Sequence, residues 1–434
     1  MTPSRRLLRV LAAWLVLGLV ASAWRPLVLP WAGAGGAVLV FVFIDLALLL
    51  RLPWPALERR LPKAMALGEW HDVTLEVTSA AARPVRLELF EQAPDALILD
   101  GMPREVVLPA HGVASVPYRV RPQQRGNLSL GGAHVRLFSP LGLLERRRCV
   151  GDPQPVRVYP NFRQVARYAL LALDHRTGAF GVHLQRRRGE GLEFFQLREY
   201  RDGDSLRQVD WKAVSRRGRL ISREYREEKD QQVILMLDCG RRMHTRDGDL
   251  TFFDRVLDAA LLLAYVALRQ GDAVGIMTFS GVDRWVPPRK GRAAMTTLLN
   301  AVYDVQTSTA PSDFAEAAHR LATRQKRRCL VVLLTNLRED DAVDLPLALA
   351  PLRRRHLVQL ASLREPALAA ALEPDVEQFE DALRFVATQH YLEGRERAHA
   401  LVRRAGLRAL DVEPADLPAA LVNQYLDIKR AGAL

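Results

Sequence analysis

Cysteine is scarce in this 434-residue chain: Cys149, Cys239 and Cys329 stand far apart and are odd in number. They make no CxxC pair, no zinc-ligand spacing and no disulfide framework, which favours a reducing compartment. Lysine is scarce too. Of 62 basic residues six are lysine and 56 arginine, against 49 acids, for a net charge of +13. A skew spread over the whole chain reads as compositional habit rather than a dedicated phosphate-binding surface. No glycine-rich loop runs into a Lys, so nucleotide hydrolysis by this chain is not expected. No Ser sits in a nucleophile elbow, and the ten His residues show no HExxH or carboxylate-backed spacing. Hydrophobic residues at 49% and charged residues at 26% exclude wholesale disorder and a polytopic transporter. The length suggests two or three domains.

Residues 1–63 differ from the rest. Arg5, Arg6 and Arg9 precede an uncharged run over 10–24, broken by Arg25 and Pro26; a second run reaches Leu50 with Asp45 as its only charge. About 20 helical residues cross the hydrocarbon layer. Residues 31–50 supply them, and so do residues 7–24 if Arg9 snorkels. Trp14, Trp24, Trp31 and Trp54 fall near expected interfaces, where indole rings prefer to sit. Arg51, Arg59, Arg60 and Lys63 follow the second run, whereas the connection offers only Arg25. The positive-inside rule therefore predicts a transmembrane helical hairpin with both ends in the cytoplasm. Ala21-Ser22-Ala23 resembles a signal-cleavage site, but a second apolar run follows at once. Asp45 lies within two turns of Arg51 and is expected to stay hydrated near the headgroups.

Over 64–160 apolar and polar residues alternate: Val73, Leu75 and Val77, then Val85, Leu87 and Leu89, then Val116, Tyr118 and Val120, then Ala133, Val135 and Leu137. Period two with Pro, Gly and Asn punctuation predicts some seven antiparallel strands in a small β-sandwich-like domain. Arg146, Arg147 and Arg148 read as a solvated strand end facing anionic lipid. Residues 161–230 form a charged connector, dense in both signs, expected to be a salt-bridged belt packed around Trp211.

The connector carries Gly189-Glu190-Gly191, Arg198-Glu199-Tyr200, Gly203-Asp204, Arg207 and Asp210-Trp211-Lys212. With these motifs the chain resembles the bacterial domain of unknown function 58 family, membrane-anchored proteins with a von Willebrand factor A-like domain. It departs at Ser205, where a second Asp is usual, and at Ser215, where Ala is usual. The resemblance extends to the two spans, to the β region ending in SPLGLLERRR and to the carboxyl-terminal LVNQYLDIKRAG. It implies an inner-membrane location with the bulk of the chain cytoplasmic, and partnership with an AAA+ ATPase of the MoxR type.

Residues 231–434 alternate strand and helix. Apolar runs at 232–237, 272–279, 329–335, 356–363 and 407–412 are separated by helical stretches at 252–269, 293–303, 314–323, 345–354 and 376–405, with a last helix at 417–429. That pattern predicts an α/β fold, a doubly wound, mostly parallel sheet whose ligands bind at the carboxyl ends of strands. In a von Willebrand factor A domain, which the resemblance implies, those loops hold a metal through Asp-x-Ser-x-Ser, a Thr and a later Asp. Here Asp238 and Ser312 match, while Gly240, Arg242 and Asn336 replace expected ligands. Magnesium wants six oxygens in octahedral array, so the site reads as degenerate, magnesium as the weaker expectation and no cofactor as the stronger. Arg242, or its neighbour Arg241, is expected to replace the metal by pairing with Asp238.

The function expected from these features is a non-enzymatic, membrane-anchored interaction or scaffold protein. Two alternatives stand beside it. One is a metal-dependent binding module or enzyme built on Asp238 and Ser312. The other is a nucleic-acid binder drawing on the arginine triplets at 186–188 and 353–355, which scattered basic residues disfavour.

Overall fold

The computed structural model describes residues 1–161, 193–201, 209–226, 231–372 and 378–433. The chain divides into two compact units, Met1–Val158 and Tyr159–Leu434.

The first unit begins with two apolar helices, Arg5–Ala23 and Val28–Leu50, of 19 and 23 residues. Each is long and apolar enough to cross a bilayer. Ser4 caps the first, its hydroxyl oxygen accepting from the amides of Arg6 and Leu7. Trp14 and Trp31 stack on each other between the helices with ring centroids 4.8 Å apart. Each indole N–H donates to the other's carbonyl, at 3.1 and 3.2 Å. Glycine is what makes the fit: a Cβ at Gly18 or Gly35 would come within 2.8 Å of the facing indole.

Asp45 corrects an expectation. It is fully buried in the unit rather than hydrated near headgroups. Its carboxylate accepts from the Ser139 hydroxyl at 2.5 Å and from the amides of Leu141, Leu143 and Leu144 at 3.0–3.2 Å. An acid inside an apolar helix is costly unless paired; here the 139–144 turn of the β region supplies the donors. Ser4 reinforces the joint by donating to the carbonyl of Gly142 at 2.6 Å.

The β region holds a five-stranded antiparallel sheet that includes Val85–Glu91, Ala133–Phe138 and Leu144–Val150, and a four-stranded one that includes His71–Thr78 and Val113–Pro122. A third sheet has three strands. The predicted alternation holds: Val73, Leu75, Val77, Leu87, Leu89, Val116, Tyr118 and Val120 are all buried. Arg146 and Arg148 do not simply face solvent. Their guanidinium groups lie over the Trp54 ring at 4.9 and 5.9 Å.

The second unit is built on a six-stranded sheet ordered Trp285–Arg289, Ala273–Phe279, Gln232–Asp238, Leu330–Thr335, Leu357–Leu363, Arg408–Val412. Trp285–Arg289 runs antiparallel at the edge; every other pair is parallel. Burial on both faces follows from the continuous apolar runs. Val233, Leu235 and Leu237 join a core with helices Phe252–Arg269, Arg292–Val302 and Leu417–Arg430. Ile234 and Met236 join the opposite core with helices Phe314–Arg324, Asp344–Arg353 and Phe379–Arg404. Strand order reverses between Gln232–Asp238 and Leu330–Thr335, and a crevice at the carboxyl ends of such a pair is where doubly wound sheets bind ligands.

Candidate functional site

Asp238 ends the first parallel strand and Thr335 ends its neighbour, so both stand at that switch point. Asp238 is fully buried. Its Oδ2 accepts from the hydroxyls of Ser312 at 2.7 Å and Thr335 at 2.6 Å, and its Oδ1 from the amide of Gly240 at 2.8 Å. Burial pushes the Asp238 carboxyl above the usual carboxylate range, against these hydrogen bonds and the nearby Arg242, which pull the other way. Ser312, which the family resemblance offers as a metal ligand in place of Thr, here serves Asp238 as a hydrogen-bond donor. Gly240 is required by close packing, since a Cβ there would come within 2.8 Å of Ser312 Oγ and 3.0 Å of Asp238 Oδ1.

The expected pairing of Arg242 or Arg241 with Asp238 does not form. Arg242 donates instead to both carboxylate oxygens of Asp341 and, at 2.9 Å, to the carbonyl of Asn336. Its guanidinium also lies over the Phe314 ring at 5.6 Å. Asp238 is buried with three donors already in place, and the Arg242 guanidinium is taken up by Asp341 and the Asn336 carbonyl. Asn336 also points elsewhere. Its amide donates to Glu365 at 2.6 Å, and its oxygen accepts from Arg395 at 2.7 Å.

Arg395, on helix Phe379–Arg404, is a buried cation joined to these strand ends through Asn336. Beyond Asn336 it donates to the Leu337 carbonyl at 2.8 Å, and to Ser362 and Asp411 at 2.7 Å. Thr335, Asp341, Glu365 and Arg395 thus complete a site that sequence reasoning missed. Thr335 is hidden at the end of an apolar run, and Arg395 in the charged string around Arg397.

A magnesium ion does not fit this donor set. It needs six oxygens. The Asp238 oxygens serve protein donors, and the Arg242 cation lies close by. Among the described residues no group of three His, Cys, Asp or Glu could hold a metal. The arrangement instead seals the strand ends with hydrogen bonds and ion pairs.

Half of the connector motif is visible. Asp210 caps helix Trp211–Arg217 by accepting from the amides of Lys212 and Ala213 at 3.1 Å, and it pairs with Arg223 at 3.0 Å. Those donors hold its carboxyl below the usual range, the Arg223 bond foremost. Glu199 pairs with Arg219 at 2.9 Å, Arg198 donates to the Glu199 carbonyl, and the Tyr200 amide donates to the Leu220 carbonyl. Trp211 is not the centre of a packed belt: it is 65% exposed, and Lys212 is exposed beside it. Gly189, Glu190, Gly191, Gly203, Asp204 and Arg207 lie outside the described residues.

Comparison with known proteins finds similarity to chains without a described activity. Uncharacterized protein YeaD of Bacillus subtilis is 20% identical over 231 residues, 53% of this chain and 56% of its own length. Uncharacterized protein Rv1480 of Mycobacterium tuberculosis is 24% identical over 159 residues, 36% of this chain and 50% of its own length. The chain thus spans about half the length of the curated relatives it matches. Among solved structures, proximal thread matrix protein 1 from the mussel byssus is 9% identical over 47% of this chain and 46% of its own, with a TM-score of 0.27, too low to carry an argument. The family described as Protein of unknown function DUF58 matches this chain over residues 196–403, which include the Asp210-Trp211-Lys212 motif, the strand end at Asp238 and Arg395.

Proposed function

We propose that this chain is a membrane-anchored, non-enzymatic scaffold. Its two apolar helices hold it in the bacterial inner membrane with the bulk of the chain cytoplasmic. Its α/β unit, of von Willebrand factor A type, docks an AAA+ ATPase of the MoxR type, the partner class that the family resemblance implies.

The observation that carries this reading is an apolar stripe in water. Phe379, Leu383 and Val386 are 80%, 56% and 63% exposed at the start of helix Phe379–Arg404. Spacings of four and three residues put them on one helix face. Clustered exposed apolar side chains mark protein-docking surfaces, and anchors at this spacing suit a groove on a partner. Supporting the non-enzymatic part, the Asp238 carboxylate is committed to Gly240, Ser312 and Thr335 instead of standing ready for a substrate. Supporting the anchor, Leu15, Leu19 and Phe43 are 62–73% exposed on helices long enough to span.

The test is affinity purification of the detergent-solubilised full chain from its native host, followed by mass spectrometry. Wild type retains an AAA+ ATPase, and the triple variant Phe379→Glu, Leu383→Glu, Val386→Glu loses it while melting like wild type. Equal recovery with both proteins, or no ATPase with wild type, sinks the reading.

A further inference from the structure

A cleft of about 680 Å³ opens in the first unit where the first apolar helix begins. Its lining carries five arginines: Arg5, Arg6, Arg83, Arg86 and Arg136. Two of these five are neutralised. Arg86 pairs with Glu105, and Arg136 pairs with Glu88 at 2.8 Å and Glu145 at 2.6 Å. Burial works against the Glu145 charge, but hydrogen bonds from Arg136, Arg147 and Thr2 outweigh it and hold its carboxyl below the usual range. All three glutamates of the lining are therefore spent as counter-ions. Arg5, Arg6 and Arg83 are exposed and have no carboxylate partner among the described residues. The first-turn amides of Arg6 and Leu7 already donate to Ser4, so the attraction left for a ligand is that of the guanidinium groups.

Three arginines without carboxylate partners lining one cleft suit a phosphate, which guanidinium groups can grip with paired N–H donors. The unpaired charge is all positive, which disfavours a headgroup bearing its own cation. The rim says where the phosphate comes from. Leu8, Leu11 and Leu15, which are 53%, 37% and 62% exposed, continue along the helix directly from Arg5 and Arg6. An acyl chain attached to a phosphate in the cleft has this apolar face to lie against. Basic clefts at the ends of membrane helices hold anionic headgroups in this manner.

We infer that the cleft at Arg5, Arg6 and Arg83 binds the phosphate headgroup of an anionic membrane phospholipid, with its chains along the first apolar helix. The inference rests on the reading of the two helices as a membrane anchor. Bound lipid ties the β region to the bilayer surface beside the Asp45 joint, whose Ser139 and Gly142 also line the cleft, adding a charge-dependent contact to the apolar helices.

Native mass spectrometry of the full chain, released from detergent after titration with phosphatidylglycerol or phosphatidylcholine, tests it. Wild type retains phosphatidylglycerol in preference to phosphatidylcholine. Each arginine removed weakens that preference about fivefold, and the triple variant Arg5→Gln, Arg6→Gln, Arg83→Gln loses it while melting like wild type. Equal retention of the two lipids by wild type, or an undiminished preference in the variant, overturns the inference. Inorganic phosphate that binds the cleft as tightly as phosphatidylglycerol makes it a site for a soluble anion and also overturns the lipid assignment. Carbonate extraction of native membranes reads the anchor separately: release of wild type into the supernatant defeats the anchor reading, whatever the lipid preference.

Discussion

Asp238 and Gly240 show how the absence of a side chain shapes a buried carboxylate's surroundings. The Asp238 carboxylate is buried with three protein donors around it. Each such bond offsets part of the desolvation cost that raises its pKa. Gly240 lets Ser312 Oγ come close, because a Cβ at 240 would lie 2.8 Å from it and 3.0 Å from the Ala310 carbonyl. A serine at 240, which the metal motif implied by the family resemblance would place there, therefore adds a clash before it adds a ligand. Gly240→Ser is expected to cost about 1–3 kcal/mol of stability through overpacking, seen as a lower melting temperature of the full chain. Magnesium should not recover it, since Arg242 and Asn336 stay committed to Asp341, Glu365 and Arg395. A melting temperature of the variant that climbs with added magnesium would show that the site is one residue short of a metal centre and not closed.

Helix Phe379–Arg404 does two jobs along its length, an exposed apolar start and a buried polar end. At the buried end His399 lies near Asp411, Arg395 and Arg403, with neither ring nitrogen hydrogen-bonded among the described residues. Burial, foremost, pulls its pKa down to about 4, Arg395 and Arg403 push the same way, and Asp411 opposes them. The folded chain thus resists a proton that the unfolded chain takes up at about 6.5. Stability is full above about pH 6.5, falls as pH drops towards about 4, and is flat in this respect below. His399→Leu should flatten that loss, measured by denaturant titration at a series of pH values; an unchanged slope would place the acid sensitivity elsewhere. The helix itself was legible from sequence, as were the parallel strands, because their apolar runs are continuous and bounded by Gly and charge. The edge strand Trp285–Arg289 was not. Pro287 and Pro288 argue against a strand, and only an edge position tolerates them. Gly275 opposite gives the room, since a Cβ there would meet the Val286 carbonyl at 2.7 Å. In the site, Asp238 was legible as the acid closing an apolar strand. Asp341 and Arg395 were not, because their roles depend on contacts 99 and 59 residues away in sequence, with Arg242 and Asn336.

At the scale of the molecule the question is how a folded head is held to an apolar stem. In Met1–Val158 the answer is a polar joint rather than a linker. Asp45 reaches from the second apolar helix into the 139–144 turn and takes up the Ser139 hydroxyl and three consecutive-region amides, while Arg146 from the next strand donates to the Leu49 carbonyl at 3.4 Å. Ser4, the cap of the other helix, donates to Gly142 in the same turn, and Thr2 just before it donates to Glu145 in the following strand. A buried carboxylate with four donors fixes geometry because removing it leaves each donor unsatisfied, at about 1–3 kcal/mol apiece in the buried limit. Asp45→Leu keeps the helix apolar and long enough to span, so anchoring should survive. The 139–144 turn, however, should open more readily. Hydrogen exchange at Leu141, Leu143 and Leu144 is expected to accelerate about 10- to 100-fold, the equivalent of one to two lost bonds, with the strands His71–Thr78 and Val113–Pro122 unaffected. Uniform acceleration across the β region would mean that Asp45 holds up the whole unit's fold, and no acceleration would mean that Ser4 and Arg146 suffice to make the joint without it.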